Sequence, residues 1–99
     1  MTDHELLALA AKAAGLAELS AYDKDMQRFL KRWNPLDDDY DAFRLAVQLQ
    51  LITRCYAERI IVSAGFNEAT EELAPSDCRY TATRRAIVRC AAQSATRKQ

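Results

Sequence analysis

The feature that most constrains the fold is the segment Trp33-Asn34-Pro35-Leu36, which an acidic cluster and an apolar-periodic run follow. Pro35 disfavours helical backbone at Asn34, so any helix that precedes the segment ends there. Asp37 or Asp38 is then placed to cap a new helix, and two further aspartates fall in or near its positively polarised first turn. The segment therefore predicts a helix that begins in the middle of the chain.

This central helix is predicted over about residues 38–50. Its inner stripe has the helical spacing of Ala42, Leu45, Ala46 and Leu49. Phe43 and Val47 widen the stripe, so we expect the helix to pack on both sides of a narrow seam. Its end is poorly marked, because Gln50 is a good helix former.

A first helix is predicted over about residues 3–15. Thr2 and Glu5 have the spacing of a capping box. Apolar residues then recur at three- and four-residue intervals: Leu6, Leu7, Ala10, Ala13, Ala14 and Ala17. Gly15 is the natural stop, although a helix that continues to about Leu19 is an alternative.

The segment from Ser20 to Trp33 has two interpretations. Met26, Phe29 and Leu30 share helical spacing with Trp33, which favours a helix. An irregular loop followed by a short strand into Trp33 fits the same residues. The sequence leaves both open.

Two strands are predicted next, over about residues 51–57 and 59–65, because β-branched and aromatic residues dominate and the second segment alternates with period two. A single long helix through Arg59 is the alternative, since Ala57-Glu58-Arg59 is a poor hairpin turn. If strand 59–65 is an uncovered edge, it offers a second copy of the chain a route to a homodimer.

The rest of the chain is predicted to be an acidic connection over Asn67–Ser76, a helix over about residues 78–94 capped by Asp77, and a frayed tail over residues 96–99. Residues 1–99 are thus expected to form a single domain. Its fold class is α+β, with about three helices flanking a short antiparallel β-sheet.

Composition places the chain among ordinary globular proteins, with 49% hydrophobic and 28% charged residues. Its apolar runs are too short to span a bilayer, and its acidic N-terminus is unlike a secretory signal. We therefore expect a cytoplasmic protein. Cys55, Cys78 and Cys90 have no metal-site spacing, so we expect reduced and mostly buried thiols.

No residue pattern predicts catalysis. The aspartates at 37, 38, 39 and 41 lack the Gly and Glu positions of an EF-hand loop, and capping explains them. His4 is the sole histidine and has no orienting partner in the sequence, and Cys78 has only Arg79 as a basic neighbour. We predict no enzyme activity, no cofactor and no bound metal.

Two groups of residues are candidates for binding a partner. Trp33 and Tyr40 flank the proline and suit a protein-binding patch if they are exposed. Arg84, Arg85 and Arg89 belong to a C-terminal segment without acids, and they suit contacts to phosphates. The net charge of zero argues against a chain that binds nucleic acid with its whole surface.

Three sequence blocks resemble a family of small tailed-phage and prophage proteins with a phage α-β-α sandwich-like domain. The blocks are Lys12-Ala13-Ala14-Gly15, the run from Trp33 to Val47, and the run from Cys78 to Ala92. The resemblance implies an α+β fold. The family usually has Gly where Tyr40 and Gln50 stand here, and the second departure leaves the helix-to-strand boundary open.

The resemblance also bears on function, although no general activity is carried over from the family. Phage accessory genes commonly encode compact inhibitors or adaptors of host defence or regulation. We therefore expect a small phage-encoded accessory protein that binds a host protein stoichiometrically in the host bacterial cytoplasm. The alternative is a nucleic-acid-binding regulator that uses the Arg-rich C-terminal helix.

Overall fold

The computed structural model describes residues 1–16 and 32–97. The helices are α1 (Asp3–Ala13), α2 (Asp39–Gln48) and α3 (Arg79–Arg97), and the strands are β1 (Ile52–Cys55), β2 (Arg59–Ala64) and β3 (Asn67–Glu72). The chain is thus an α+β domain with a small antiparallel sheet, as predicted. The two interpretations of residues 20–33 fall almost wholly on residues outside the described part.

Strand β2 is the centre of the sheet, whose order is β1-β2-β3. Its Ile60 and Val62 side chains are fully buried. Residues 59–64 pair with β1 on one side and with β3 on the other, so this strand is not the uncovered edge that the predicted homodimer requires. Among the strands of the described residues, β1 and β3 form the two edges of the sheet.

The prediction of an acidic connection over Asn67–Ser76 is wrong, because its first half is strand β3. Ala69 is buried opposite Val62, while Glu68 lies opposite Ser63 on the other face of the sheet. The two-residue turn Gly65-Phe66 joins β2 to β3, and Gly65 has a φ of +59°. The glutamates thus belong to a strand that buries few of its side chains.

The alternative of a single long helix through Arg59 is also wrong, because β1 and β2 form a hairpin. The turn is stabilised from a distance. The Arg79 guanidinium donates to the carbonyl oxygens of Tyr56, at 2.5 Å, and Ala57, at 3.1 Å. A long-range contact therefore compensates for turn residues with weak turn preference.

Helix α3 is the central element, since it contacts α1, α2, β2 and β3. Most of its buried side chains are small and allow close approach to the sheet, among them Ala86, Cys90 and Ala91. The predicted Asp77 cap is wrong, because the Ala82 N–H donates to the Cys78 carbonyl and makes Cys78 the N-cap residue. Asp77 instead accepts from the Ala74 N–H, at 2.7 Å, in the preceding turn.

Both predicted signals at the ends of α1 are confirmed. Thr2 and Glu5 form the capping box, and Gly15 has a φ of +78° just past the C-cap residue Ala14. The alternative of a helix that runs unbroken to Leu19 is therefore wrong. Within the described residues, no helix is long and apolar enough to cross a membrane.

Helix α2 begins as predicted, because the Asp38 side chain accepts from the Asp41 N–H at 3.1 Å. Asn34 prepares this start, since its side chain accepts from the Leu36 N–H and its carbonyl accepts from the Asp38 N–H. Pro35 is among the most deeply buried residues. The proline segment is therefore a rigid support that fixes the direction in which α2 leaves.

Candidate functional site

An open cleft of about 650 Å³ lies between α2, β1 and the first half of α3. We call it the α2–β1–α3 cleft. Its lining is largely apolar and includes Phe43, Val47, Thr53, Cys55, Tyr80 and Ile87. Concave, largely apolar clefts of this volume are typical of the sites at which proteins bind ligands.

The cleft exists because α3 packs on β2 and β3, while β1 extends beyond it. All four residues of β1 are exposed. Thr53 and Cys55 lie on the same face of the sheet as the buried residues Val62 and Ile60, with which they pair. They form the floor of the cleft, where a helix would be expected to cover the sheet.

The wall formed by α2 exposes two large apolar side chains. Phe43 is 67% exposed and Val47 is 60% exposed, so the prediction that they widen a buried seam is wrong. They lie four residues apart and are therefore neighbours on one helix face. Tyr80, at 72% exposure, faces the same cleft from α3. Clustered exposed apolar side chains of this kind mark interaction sites.

Arg84 holds the α2 and α3 walls of the cleft together. Its Nε donates to the Leu36 carbonyl at 2.8 Å, and its Nη1 lies 2.5 Å from the Asp39 carboxylate. The Arg84 side chain is largely buried. Because this arginine ties the start of α2 to α3, the width of the cleft is set before any partner arrives.

The end of the cleft at Arg79 is positively charged. The Arg79 guanidinium bonds only to carbonyl oxygens, and within the described part of the chain it has no carboxylate at ion-pair distance. The first turn of α3 contains no acidic residue. No carboxylate within the helix therefore offsets the positive end of its dipole, and Asp77 lies two residues before the helix.

The three predicted phosphate-binding arginines do not form one surface. Arg84 contacts α2, Arg85 pairs with Asp3 of α1 at 3.1 Å, and Arg89 pairs with Glu71 of β3. Each guanidinium already has a carboxylate partner. Each of the three arginines therefore connects α3 to a neighbouring element of the fold.

Trp33 and Tyr40 do come together, at a smaller cavity of about 280 Å³ beside α2. Trp33 is partly buried against the core, and Tyr40 is exposed. The Arg44 guanidinium lies 5.4 Å from the Tyr40 ring centroid and donates to the Tyr40 hydroxyl at 3.2 Å. This pair borders a shallow concavity, whereas the larger apolar surface lies across α2.

The acidic cluster after Pro35 acts in capping and ion pairing. Asp37 accepts from the Asn34 side chain, Asp41 accepts from the Asn34 N–H at 2.9 Å, and Asp39 pairs with Arg84. Among residues 1–16 and 32–97, no three potential ligands from histidine, cysteine and acidic residues are grouped to hold a metal ion.

The cysteines are less buried than predicted, since Cys55 and Cys78 are exposed and only Cys90 is buried. Hydrogen bonds from the side chain and N–H of Thr81 and from the N–H of Tyr80 lower the pKa of the Cys78 thiol. Burial raises the pKa of the Cys90 thiol. Cys78 is therefore poised to be the more reactive of these two thiols.

Comparisons with known proteins found no matching family model, no matching curated protein and no matching solved structure. The α2–β1–α3 cleft, at about 650 Å³, is larger than the cavity of about 280 Å³ beside Trp33 and Tyr40.

Proposed function

We propose that this chain acts by stoichiometric binding of a partner protein, and that the partner occupies the α2–β1–α3 cleft. The observation that carries the proposal is the exposure of Phe43, Val47 and Tyr80 around a cleft that intramolecular contacts hold open. Aromatic and aliphatic side chains clustered in a concave site are typical of protein interfaces. Their burial by a partner is worth about 25 cal/mol per Å² of apolar surface.

The proposed partner is a host protein in the bacterial cytoplasm, and the proposed role is that of an inhibitor or adaptor of host defence or regulation. The resemblance of the Trp33–Val47 and Cys78–Ala92 blocks to small phage and prophage proteins supports this choice. A preformed apolar cleft suits such a role, because binding through it requires little ordering of the chain.

A nucleic-acid partner is less well supported. Counterion release requires cations that are free to contact phosphates, whereas Arg84, Arg85 and Arg89 each have a carboxylate partner within the chain. We expect no duplex DNA binding at low salt. Binding that weakens steeply as salt is raised would favour the regulator instead.

The proposal is tested by affinity capture from a bacterial lysate with three forms of the chain. Val47→Asp places a charge in the cleft wall, and Phe66→Asp places the same charge at the turn between β2 and β3, where Phe66 is 93% exposed. We expect one saturable partner with the unmodified chain and with Phe66→Asp, and loss of that partner with Val47→Asp. Equal capture by all three forms would refute the assignment of the cleft.

A further inference from the structure

The free edge of β1 presents backbone hydrogen-bonding groups beside the cleft. Tyr56 lies opposite Arg59 and donates its N–H to the Arg59 carbonyl at 2.9 Å. Since bonded and non-bonded pairs alternate along an antiparallel ladder, Ile52 and Arg54 direct their backbone groups towards β2. Thr53 and Cys55 therefore direct their N–H and C=O groups outward, to the open edge.

The same two residues place their side chains on the cleft floor, below Phe43 and Val47 of α2. A further strand beside β1 would extend the sheet at the strand that forms the floor of the cleft. Because side chains alternate along a strand, every second side chain of the added strand would enter the cleft. The exposed side chains of Phe43 and Val47 would then cover the apolar side chains of the added strand.

The charges near this edge favour an acidic occupant. Within the described part of the chain, neither Arg54 on β1 nor Arg79 at the end of the cleft has a carboxylate partner at ion-pair distance. The N-terminus of α3, whose first turn has no acidic residue, adds to the positive potential. A second copy paired through Arg54 would place like charges opposite each other, which is unfavourable.

We propose that the occupant of the α2–β1–α3 cleft is an extended, acidic segment of the partner protein, which adds to the edge of β1 as a fourth strand. This inference rests on the proposed function and specifies its mode of recognition. Main-chain hydrogen bonds to Thr53 and Cys55 supply part of the affinity. Alternate apolar side chains of the segment fill the cleft, and the carboxylates between them lie on the opposite face of the sheet, with Arg54. A carboxylate at the end of the cleft faces Arg79.

The test uses peptides selected from a displayed random library on the full chain. We expect the selected sequences to alternate apolar and other residues and to be rich in Asp and Glu. Thr53→Pro removes one outward N–H without removing a β1–β2 hydrogen bond, and proline is tolerated on edge strands. It should weaken peptide binding about tenfold or more, and Thr53→Val, which keeps the N–H, should weaken it less than Thr53→Pro does. Phe66→Asp, at the exposed turn outside the cleft, should change it less than about twofold.

Hydrogen exchange on the unmodified chain gives a second readout that does not depend on the folding of Thr53→Pro. The amide hydrogens of Thr53 and Cys55 should exchange rapidly in the free chain and become protected when the peptide binds. Absence of protection would overturn strand addition even if the proline variant fails to fold.

The remaining outcomes separate the two proposals. Peptides with helical periodicity that bind Thr53→Pro normally but not Val47→Asp would overturn strand addition and leave the cleft proposal standing. Peptides that bind Val47→Asp and Thr53→Pro as tightly as the unmodified chain would refute both. A dimer of the chain that Thr53→Pro dissociates would show that a second copy takes the edge, and would overturn the acidic segment.

Discussion

At the scale of single residues, Gln50 explains why the end of the central helix was hard to predict. It has a φ of +57°, in the left-handed region that favours glycine. The Leu51 N–H donates to the Ala46 carbonyl and the Gln50 N–H to the Val47 carbonyl, which is the hydrogen-bond pattern of a Schellman motif. Gln50, a residue type that favours helix, thus occupies a position whose left-handed backbone conformation ends the helix.

Replacement of Gln50 by Gly should raise the free energy of unfolding by about 0.5–1 kcal/mol. The gain from relief of left-handed strain exceeds the added conformational entropy of glycine in the unfolded chain. Urea denaturation of the unmodified chain, Gln50→Gly and the control Gln50→Ala measures it. Alanine keeps the β-carbon, so it should bring no comparable gain, and a glycine variant no more stable than the parent would contradict the interpretation.

The Cys78 thiol provides a second prediction at this scale. Thr81→Val removes the hydroxyl that donates to the thiolate, so the pKa of Cys78 should rise and the pH profile of its alkylation should move to higher pH. The measurement uses iodoacetamide in a Cys55→Ser background, with Thr83→Val as a control on the same helix. An unchanged profile would mean that Thr81 does not stabilise the thiolate.

At the scale of elements, three arginines of α3 connect it to three different neighbours. Arg84 reaches α2, Arg85 reaches α1, and Arg89 reaches β3, where it also donates to the Thr70 carbonyl at 3.0 Å. The three differ in how many contacts they make and how deeply they are buried. These differences predict which of them stabilise the fold.

Arg84→Lys should lower the free energy of unfolding by about 1–2 kcal/mol, because lysine cannot bond the Leu36 carbonyl and the Asp39 carboxylate together. Arg85→Lys is the matched control, since Arg85 makes a single ion pair, with Asp3, and its side chain is more exposed than that of Arg84. Its effect should stay within about 0.5 kcal/mol. Equal losses of unfolding free energy in both variants, measured by urea denaturation, would show that the contacts of Arg84 stabilise the fold no more than those of Arg85.

The elements that the sequence predicted are those with local signals. The Thr2–Glu5 capping box and the Asp38 cap mark the starts of α1 and α2, and alternation marks β2. Strand β3 was missed because Asn67–Glu72 contains three glutamates and buries one side chain, so neither composition nor alternation identified it. The β1–β2 turn depends on Arg79, which is remote in sequence.

At the scale of the whole molecule, the candidate site differs from the one that the sequence indicated. Trp33 and Tyr40, which the sequence indicates because they flank the proline, border the smaller cavity. Phe43 and Val47 read as core residues by helical spacing. Their exposure follows from the offset between α2 and the covered part of the sheet, which only the assembled fold determines.

The proline segment sets this offset. Its buried proline, the Asn34 turn and the Asp38 cap fix where α2 begins, and Arg84 fixes its distance from α3. As a result, strand β1 is exposed, and the exposed apolar side chains of Phe43 and Val47 on α2 border the same cleft. We propose that a partner protein binds in this cleft.

Calorimetric titration of the captured partner with the purified chain tests that claim most directly. We expect a one-to-one complex, with affinity reduced about thirtyfold or more by Val47→Asp and changed less than about twofold by Phe66→Asp. A Val47→Asp variant that binds the partner as tightly as the unmodified chain would contradict it.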